Sequence, residues 1–275
     1  MTRIAYLGPP GTFGETAARR YAPNADHIAL PTHAGVVAAV ASGMADEGVL
    51  PVENSVEGSV SETLDILIHD ADLRIRGELV VPIEQCLLVR PGMRAEDVRV
   101  IYSHPQALGQ CRGFLERCFP TARLEASLST AAAVQEIFAH EDAAAIASAR
   151  AAELHGAAVL ARGIQDRRNN VTRFVVLAPE DHPPTGRDKT SIAFTTQHDR
   201  PGTLVNILIE FAQREINLTK IESRPSKDAL GVYVFLVDFE GHRADPVCAE
   251  ALARVRTKAS WLKVFGSYPR ATITS

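Results

Sequence analysis

Over the first two-thirds of the chain, short apolar runs alternate with segments whose apolar positions recur every three or four residues. The runs at 3–7, 48–52, 98–102 and 143–147 predict buried strands. Helix starts are marked by hydroxyl residues. Thr12 has Glu15 three positions on, and Ser59 has Glu62 before the apolar run 63–68. Ser103-His104-Pro105-Gln106 has the same spacing before a segment running to Phe119. Ser129 or Thr130 is placed to cap 131–139, and Ser148 to cap 149–155. Strand followed by helix, repeated, predicts an α/β fold with a mostly parallel sheet.

The pattern breaks at 179–188, where prolines and charges without periodicity read as a linker. Beyond it the order is strand 190–196, helix 201–215, strands 217–223 and 232–239, helix 245–258 and strand 261–268. Ser226-Lys227-Asp228 marks the turn between the two middle strands. This βαββαβ order is ferredoxin-like, a fold that does not by itself specify a function.

Composition narrows the class. The 275 residues, 46% hydrophobic and 23% charged, suffice for a sizeable core in two or more domains. A net charge of -4 gives no electrostatic reason to expect nucleic acid or an anionic membrane as partner. The first residues enter a strand pattern directly, so neither a leader nor a membrane span is expected. Cys86, Cys111, Cys118 and Cys248 show no C-x-x-C spacing and suit a reducing, cytoplasmic compartment.

Two stretches carry chemistry. At Leu50-Pro51-Val52-Glu53-Asn54-Ser55 an apolar run ends in a carboxylate, an amide and a hydroxyl, which reads as strand end and polar turn. At Arg167-Arg168-Asn169-Asn170-Val171-Thr172-Arg173-Phe174 a dense polar run leads into a strand at 175–177. Arg173 suits bidentate carboxylate binding, and Thr172 offers a positioned hydroxyl. The hydroxyl-capped helix starts add unpaired N–H groups with partial positive charge. Together these features point to a cleft for a small anion. Gly8-Pro9-Pro10-Gly11 is not a dinucleotide fingerprint. There is no P-loop, no H-E-x-x-H and no G-x-S-x-G, and the nine histidines lack ligand spacing. Neither a nucleotide nor a metal is expected.

Taken together, Gly8-Pro9-Pro10-Gly11-Thr12-Phe13, Pro51-Val52-Glu53-Asn54-Ser55 through Val60, Ser103 to Leu108, and Asn170-Val171-Thr172-Arg173-Phe174 resemble the prephenate dehydratases. Glu222-Ser223-Arg224-Pro225 resembles the ACT regulatory portion of that family. Gly14 and Thr203 depart from the family pattern, and Thr203 bears on effector affinity or identity.

The resemblance implies a catalytic region at 1–180 of two lobes, about 1–80 with 160–180 and about 81–159. These lobes are similar to type II periplasmic binding proteins, and an ACT domain follows at 189–270. It implies that prephenate becomes phenylpyruvate, water and carbon dioxide without a cofactor. Thr172 would donate to the departing hydroxyl, and Arg173 would hold a carboxylate or orient Thr172. Phe174 and Phe13 would limit hydration, while Thr12, Glu53, Asn54, Ser55, Gln106, Thr130 and Ser148 would line the cleft. L-Phenylalanine would act at Asp199, Gly202, Thr203, Leu204, Val205, Asn217, Glu222, Ser223, Arg224 and Pro225, across a pairing interface in a homodimer or homotetramer. Arogenate as substrate, and a non-catalytic anion sensor, stay open at this point.

Overall fold

The computed structural model describes residues 1–197, 200–227 and 231–271. Asp199, expected at the effector site, and Asp228, expected in a turn, lie outside the described residues. Two compact units form. One comprises Met1–Ser61 and Val80–Phe174, the other Glu62–Leu79 and the chain from Val175 onward.

The chain opens with β1 (Arg3–Leu7), α1 (Phe13–Tyr21), β2 (Asp26–Leu30), α2 (His33–Ala41), β3 (Glu47–Asn54) and β4 (Gly58–Ser59). Then come α3 (Ser61–His69), β5 (Arg74–Pro82), β6 (Cys86–Val89), β7 (Val100–Ser103), α4 (Pro105–Gln110) and α5 (Arg112–Cys118). Next are β8 (Arg123–Ala126), α6 (Thr130–Ala139), β9 (Ala143–Ala147), α7 (Ala149–His155), β10 (Ala158–Ala161) and β11 (Val171–Ala178). The C-terminal elements are β12 (Asp188–Thr196), α8 (Thr203–Ala212), β13 (Leu218–Pro225), β14 (Tyr233–Glu240), α9 (Pro246–Lys258) and β15 (Ala259–Pro269).

One sheet runs β2-β1-β3-β11-β5, with β4 folded back on the end of β3. A second runs β10-β6-β9-β7-β8. In that second sheet, β9 is buried on both faces, and its alternation feeds two cores. Ala143, Ala145 and Ala147 face α6 with Cys86 and Leu88, while Ala144 and Ile146 meet Leu87, Cys111, Leu115 and Ile164. Small residues along β9 let the α6 backbone approach closely. The third sheet, β13-β14-β12-β15, is antiparallel throughout and has the ferredoxin-like order. Ile207, Phe211, Ala251 and Val255 of its two helices pack on Ile192, Phe194, Val237 and Phe239.

Several sequence expectations need correction. Ser59 lies in β4, in register with Glu53, and α3 begins at Ser61. The reason is local, because the Asn54 side chain turns the chain by accepting the Val56 and Glu57 N–H groups at 2.9 and 3.0 Å. Ser103 is the buried end of β7 and donates to the Ile146 carbonyl at 2.6 Å. The cap is His104, with Pro105 at the first helical position, and the segment to Phe119 is two helices meeting at Cys111. Glu53 and Asn54 end β3, and Thr172 and Arg173 lie within β11, so these four residues sit on strands rather than in turns. Among the described residues no helix is long and apolar enough to cross a membrane.

Candidate active site

Strand alternation sorts the predicted residues into two pairs. On β3 and β11, Asn54 and Thr172 share one face and hydrogen-bond, Nδ2 to Oγ1, at 2.9 Å. Their neighbours Glu53 and Arg173 point the other way and form an ion pair at 3.6 Å. Phe174 follows Thr172 on its own face and is buried.

Amide orientation follows from the backbone. Only an oxygen accepts from the Val56 and Glu57 N–H groups, so the Asn54 amide nitrogen must face Thr172. That nitrogen also donates to Asn170 Oδ1 at 2.8 Å. Asn170 Nδ2 in turn donates to Gln110 Oε1 at 3.2 Å, and Gln110 Nε2 to Glu57 Oε1 at 3.3 Å. The dipoles therefore run in one sense from Asn54 to the Glu57 carboxylate, and such chains strengthen their members. Because Thr172 accepts from Asn54, its own O–H stays available to donate. Asn54, Asn170 and Thr172 are all buried, so their pairing decides whether burial is tolerable.

Ser55 fixes the strand junction. Its N–H donates to the Val171 carbonyl at 2.9 Å, and its Oγ accepts from the Val171 N–H at 3.0 Å.

A second cluster gathers at Gly11. Thr12 caps α1 by accepting the Glu15 N–H, and its hydroxyl donates to the Pro9 carbonyl at 2.9 Å. Ser148 caps α7 and donates from Oγ to the Gly11 carbonyl at 2.7 Å. Gly11 has φ +88°, and a Cβ there would lie 3.2 Å from Ala151 and 3.5 Å from Ala131. Only glycine permits that conformation and that approach. The N-termini of α1, α6 and α7 thus converge on one turn. Ser129 is the cap of α6, with Thr130 as its first residue and Phe13 as the first residue of α1.

Glu15 holds this turn. Instead of completing a capping box, its carboxylate accepts the Gly11 N–H at 2.6 Å and pairs with Arg19 at 2.6 Å and Arg150 at 3.2 Å. Burial pushes the Glu15 carboxyl up, but the Gly11 N–H and the two guanidiniums outweigh it, and the net displacement is downward. Burial, reinforced by the Glu15 charge, raises the Tyr6 phenol to about 12.

Gln106 lies exposed at the start of α4, and the glutamine that joins the Asn54 chain is Gln110, one turn on. Sequence does not single out Gln110; it offers Asn170 only as part of the polar run and Glu15 only as a capping-box partner of Thr12. The spacing of Gln110 four residues after Gln106 was the available signal for the first. In the C-terminal unit, Gly202 takes φ +84° before α8 and the Thr203 hydroxyl donates to the Arg200 carbonyl. There Leu204 packs against the core while Val205 and Asn217 are exposed. Glu222 pairs with Lys220 at 3.2 Å and with Arg224 at 3.7 Å, while Ser223 and Pro225 are exposed on β13. Among the described residues no group of three or more His, Cys, Asp or Glu is arranged to hold a metal.

An α/β region with buried neutral polar groups and converging helix N-termini is thus followed by a ferredoxin-like domain. A family model for prephenate dehydratase matches residues 4–182, and one for the ACT domain matches 190–257. The chain belongs to the prephenate dehydratase family. It is 44% identical over 272 residues to a bifunctional chorismate mutase/prephenate dehydratase of Aquifex aeolicus, covering 98% of this chain and 74% of that one. It is also 44% identical over 286 residues to arogenate dehydratase 5 of Arabidopsis thaliana, covering 97% and 67%. The crystal structure of a prephenate dehydratase from Arthrobacter aurescens in complex with L-Phe superposes with TM-score 0.89 at 37% identity, covering 98% and 90%.

Proposed function

We propose that this chain converts prephenate to phenylpyruvate, water and carbon dioxide, and that L-phenylalanine inhibits it through the ACT domain. The observation that carries the reading is the Asn54–Thr172 pair, held on adjacent strands in a chain whose family is shown. Prephenate carries two carboxylates, and aromatisation drives the reaction. The protein's task is to hold a dianion, stabilise a departing hydroxide and let carbon dioxide go. Helix N-termini at the Gly11 turn supply N–H donors for an anion. Thr172 is too weak an acid to protonate the leaving oxygen outright. With Asn54 donating to its Oγ, it gives its own proton into a preorganised hydrogen bond as that oxygen gains charge. Arg173, on the opposite face of β11, keeps both of its possible roles, as carboxylate ligand or as orienter of Thr172 through the strand. Glu53 beside it offsets its charge, and Phe174 keeps water from the reacting face.

A second substrate has specific support, since the identity to arogenate dehydratase 5 equals that to the bifunctional enzyme. Arogenate bears an ammonium where prephenate bears a keto oxygen. The ratio of kcat/KM for the two substrates separates these readings. Exposed apolar residues on α8 and β13, among them Val205 and Ile221, support pairing of ACT domains in a homodimer or homotetramer. All four cysteines are free, which suits the cytoplasm. The test is appearance of phenylpyruvate from prephenate with purified protein, with and without L-phenylalanine. No turnover contradicts the catalytic reading. Turnover indifferent to phenylalanine contradicts the regulatory one.

A further inference from the structure

Residues 62–79 belong to the sequence that the dehydratase family model matches, yet they fold with the C-terminal unit. A row of contacts holds them there. On α3, Asp65 Oδ1 receives Arg224 Nη2 at 3.0 Å and Oδ2 receives Lys227 Nζ at 2.7 Å. At the C-terminal end of α3, Lys263 Nζ of β15 donates to the carbonyls of Ile68 at 3.2 Å and Ala71 at 2.7 Å. Those carbonyls lie where a helix leaves acceptors unpaired. Arg74 donates to the Val264 carbonyl, and a Cβ on Gly266 would collide with the Ile75 backbone. Lys189 Nζ reaches both oxygens of Glu78 at 3.0 Å, a largely buried pair. Thus α3 is gripped at its middle and at its C-terminal end by the regulatory unit.

Two further facts give this grip a consequence. Arg224 belongs to Glu222-Ser223-Arg224-Pro225, and it contacts Glu222 as well as Asp65. An amino-acid ligand at that motif presents a carboxylate and an ammonium, the groups that compete for Arg224 and Glu222 respectively. The chain also runs from Asn54 through β4 directly into α3, so any displacement of α3 pulls on the segment that ends at Asn54.

We infer that Asp65 is the coupling residue of the regulated site: through its ion pair with Arg224 it passes occupancy of the Glu222–Pro225 motif to α3, and α3 passes it to Asn54. This rests on the proposed function, because it presupposes phenylalanine inhibition. Its physical content is differential affinity. The effector favours the arrangement in which Arg224 serves the ligand rather than Asp65, and only that difference can change turnover.

The experiment compares full-length wild type with Asp65→Asn and Asp65→Glu, measuring prephenate turnover with and without phenylalanine, and phenylalanine binding by calorimetry. Asp65 touches neither Asn54 nor Thr172, so Asp65→Asn still turns over prephenate and still binds phenylalanine, but with the Arg224 pair already broken its basal kcat moves toward the inhibited level. Its inhibition factor falls from the usual allosteric range of about 5–150-fold to about 2-fold or less. Asp65→Glu keeps the charge and recovers inhibition. Should Asp65→Asn not fold, Asp65→Ser takes its place in the same comparison. An Asp65→Asn enzyme inhibited like wild type overturns the inference alone. So does one that no longer binds phenylalanine, or one whose basal kcat falls below that of phenylalanine-inhibited wild type, since Asp65 then supports a site directly. A wild type that turns over prephenate but ignores phenylalanine overturns this inference together with the regulatory reading.

Discussion

Asn54 and Thr172 are 118 residues apart in sequence, and the Asn54 amide nitrogen sits 2.9 Å from the Thr172 hydroxyl oxygen. The same amide accepts two backbone N–H groups through its oxygen, so its orientation is set independently of Thr172. Asn54→Asp removes the donation: a carboxylate still accepts from Val56 and Glu57 but gives nothing to Thr172 or to Asn170. The expected outcome is a kcat lower by about 10²-fold, the scale for misdirecting one catalytic group. Steady-state kinetics with prephenate check it. An unchanged kcat would mean that Thr172 needs no partner.

Arg173→Lys keeps the charge but loses the planar fork. Because Arg173 faces away from Thr172 and pairs with Glu53, the loss is expected in kcat/KM, by about tenfold or more. Activity close to wild type would reduce Arg173 to a source of positive potential.

Glu15→Gln tests the Gly11 turn. The Glu15 carboxyl is held below its ordinary value of 4.5, so its stabilising contribution is present above that pH. It is lost as pH falls through the lower folded value. At pH 7 the variant should be less stable by about 1–3 kcal/mol, because the Gly11 N–H and two partly exposed guanidiniums lose their charged acceptor. Urea midpoints for both proteins should draw together as pH falls below 4.5 toward the lowered folded value. A constant gap would contradict the assignment.

Cysteine reactivity gives an independent check on the cores. Cys86, Cys111 and Cys248 are buried while Cys118 is exposed. Burial raises the Cys111 thiol to about 12, so it presents almost no thiolate near neutrality. A disulfide reagent should modify Cys118 fast in native protein and the other three only on unfolding. Rapid modification of Cys111 would contradict the packing around α4 and α5.

The sequence was most legible where local chemistry and tertiary packing agree. Ala143–Ala147 followed by Ser148 was read with the bounds the structure shows, because an apolar run and a hydroxyl cap are both local signals. The C-terminal order was legible for the same reason. Elements with mixed patterns were not. In β8 all four residues, including Arg123 and Glu125, are exposed at the sheet edge, and α2 is nearly all apolar and lacks a polar stripe. Ser103 has the residue type and spacing of a cap, but a long-range partner, the Ile146 carbonyl, claims its hydroxyl instead. At the site, Asn54 and Thr172 were readable as candidates one at a time. Their pairing with each other, and the link through Asn170 to Gln110, depends on strand adjacency that no local pattern encodes.

The most direct test of the central claim is single-turnover and steady-state conversion of prephenate by wild type and Thr172→Ala. The account predicts phenylpyruvate formation by wild type and a kcat about 10²–10³-fold lower in the variant, the cost of losing one preorganised donor. KM should change little, because the Thr172 hydroxyl matters most as the leaving oxygen gains charge. A variant with near-normal kcat and a much raised KM would contradict the account and make Thr172 a substrate ligand only.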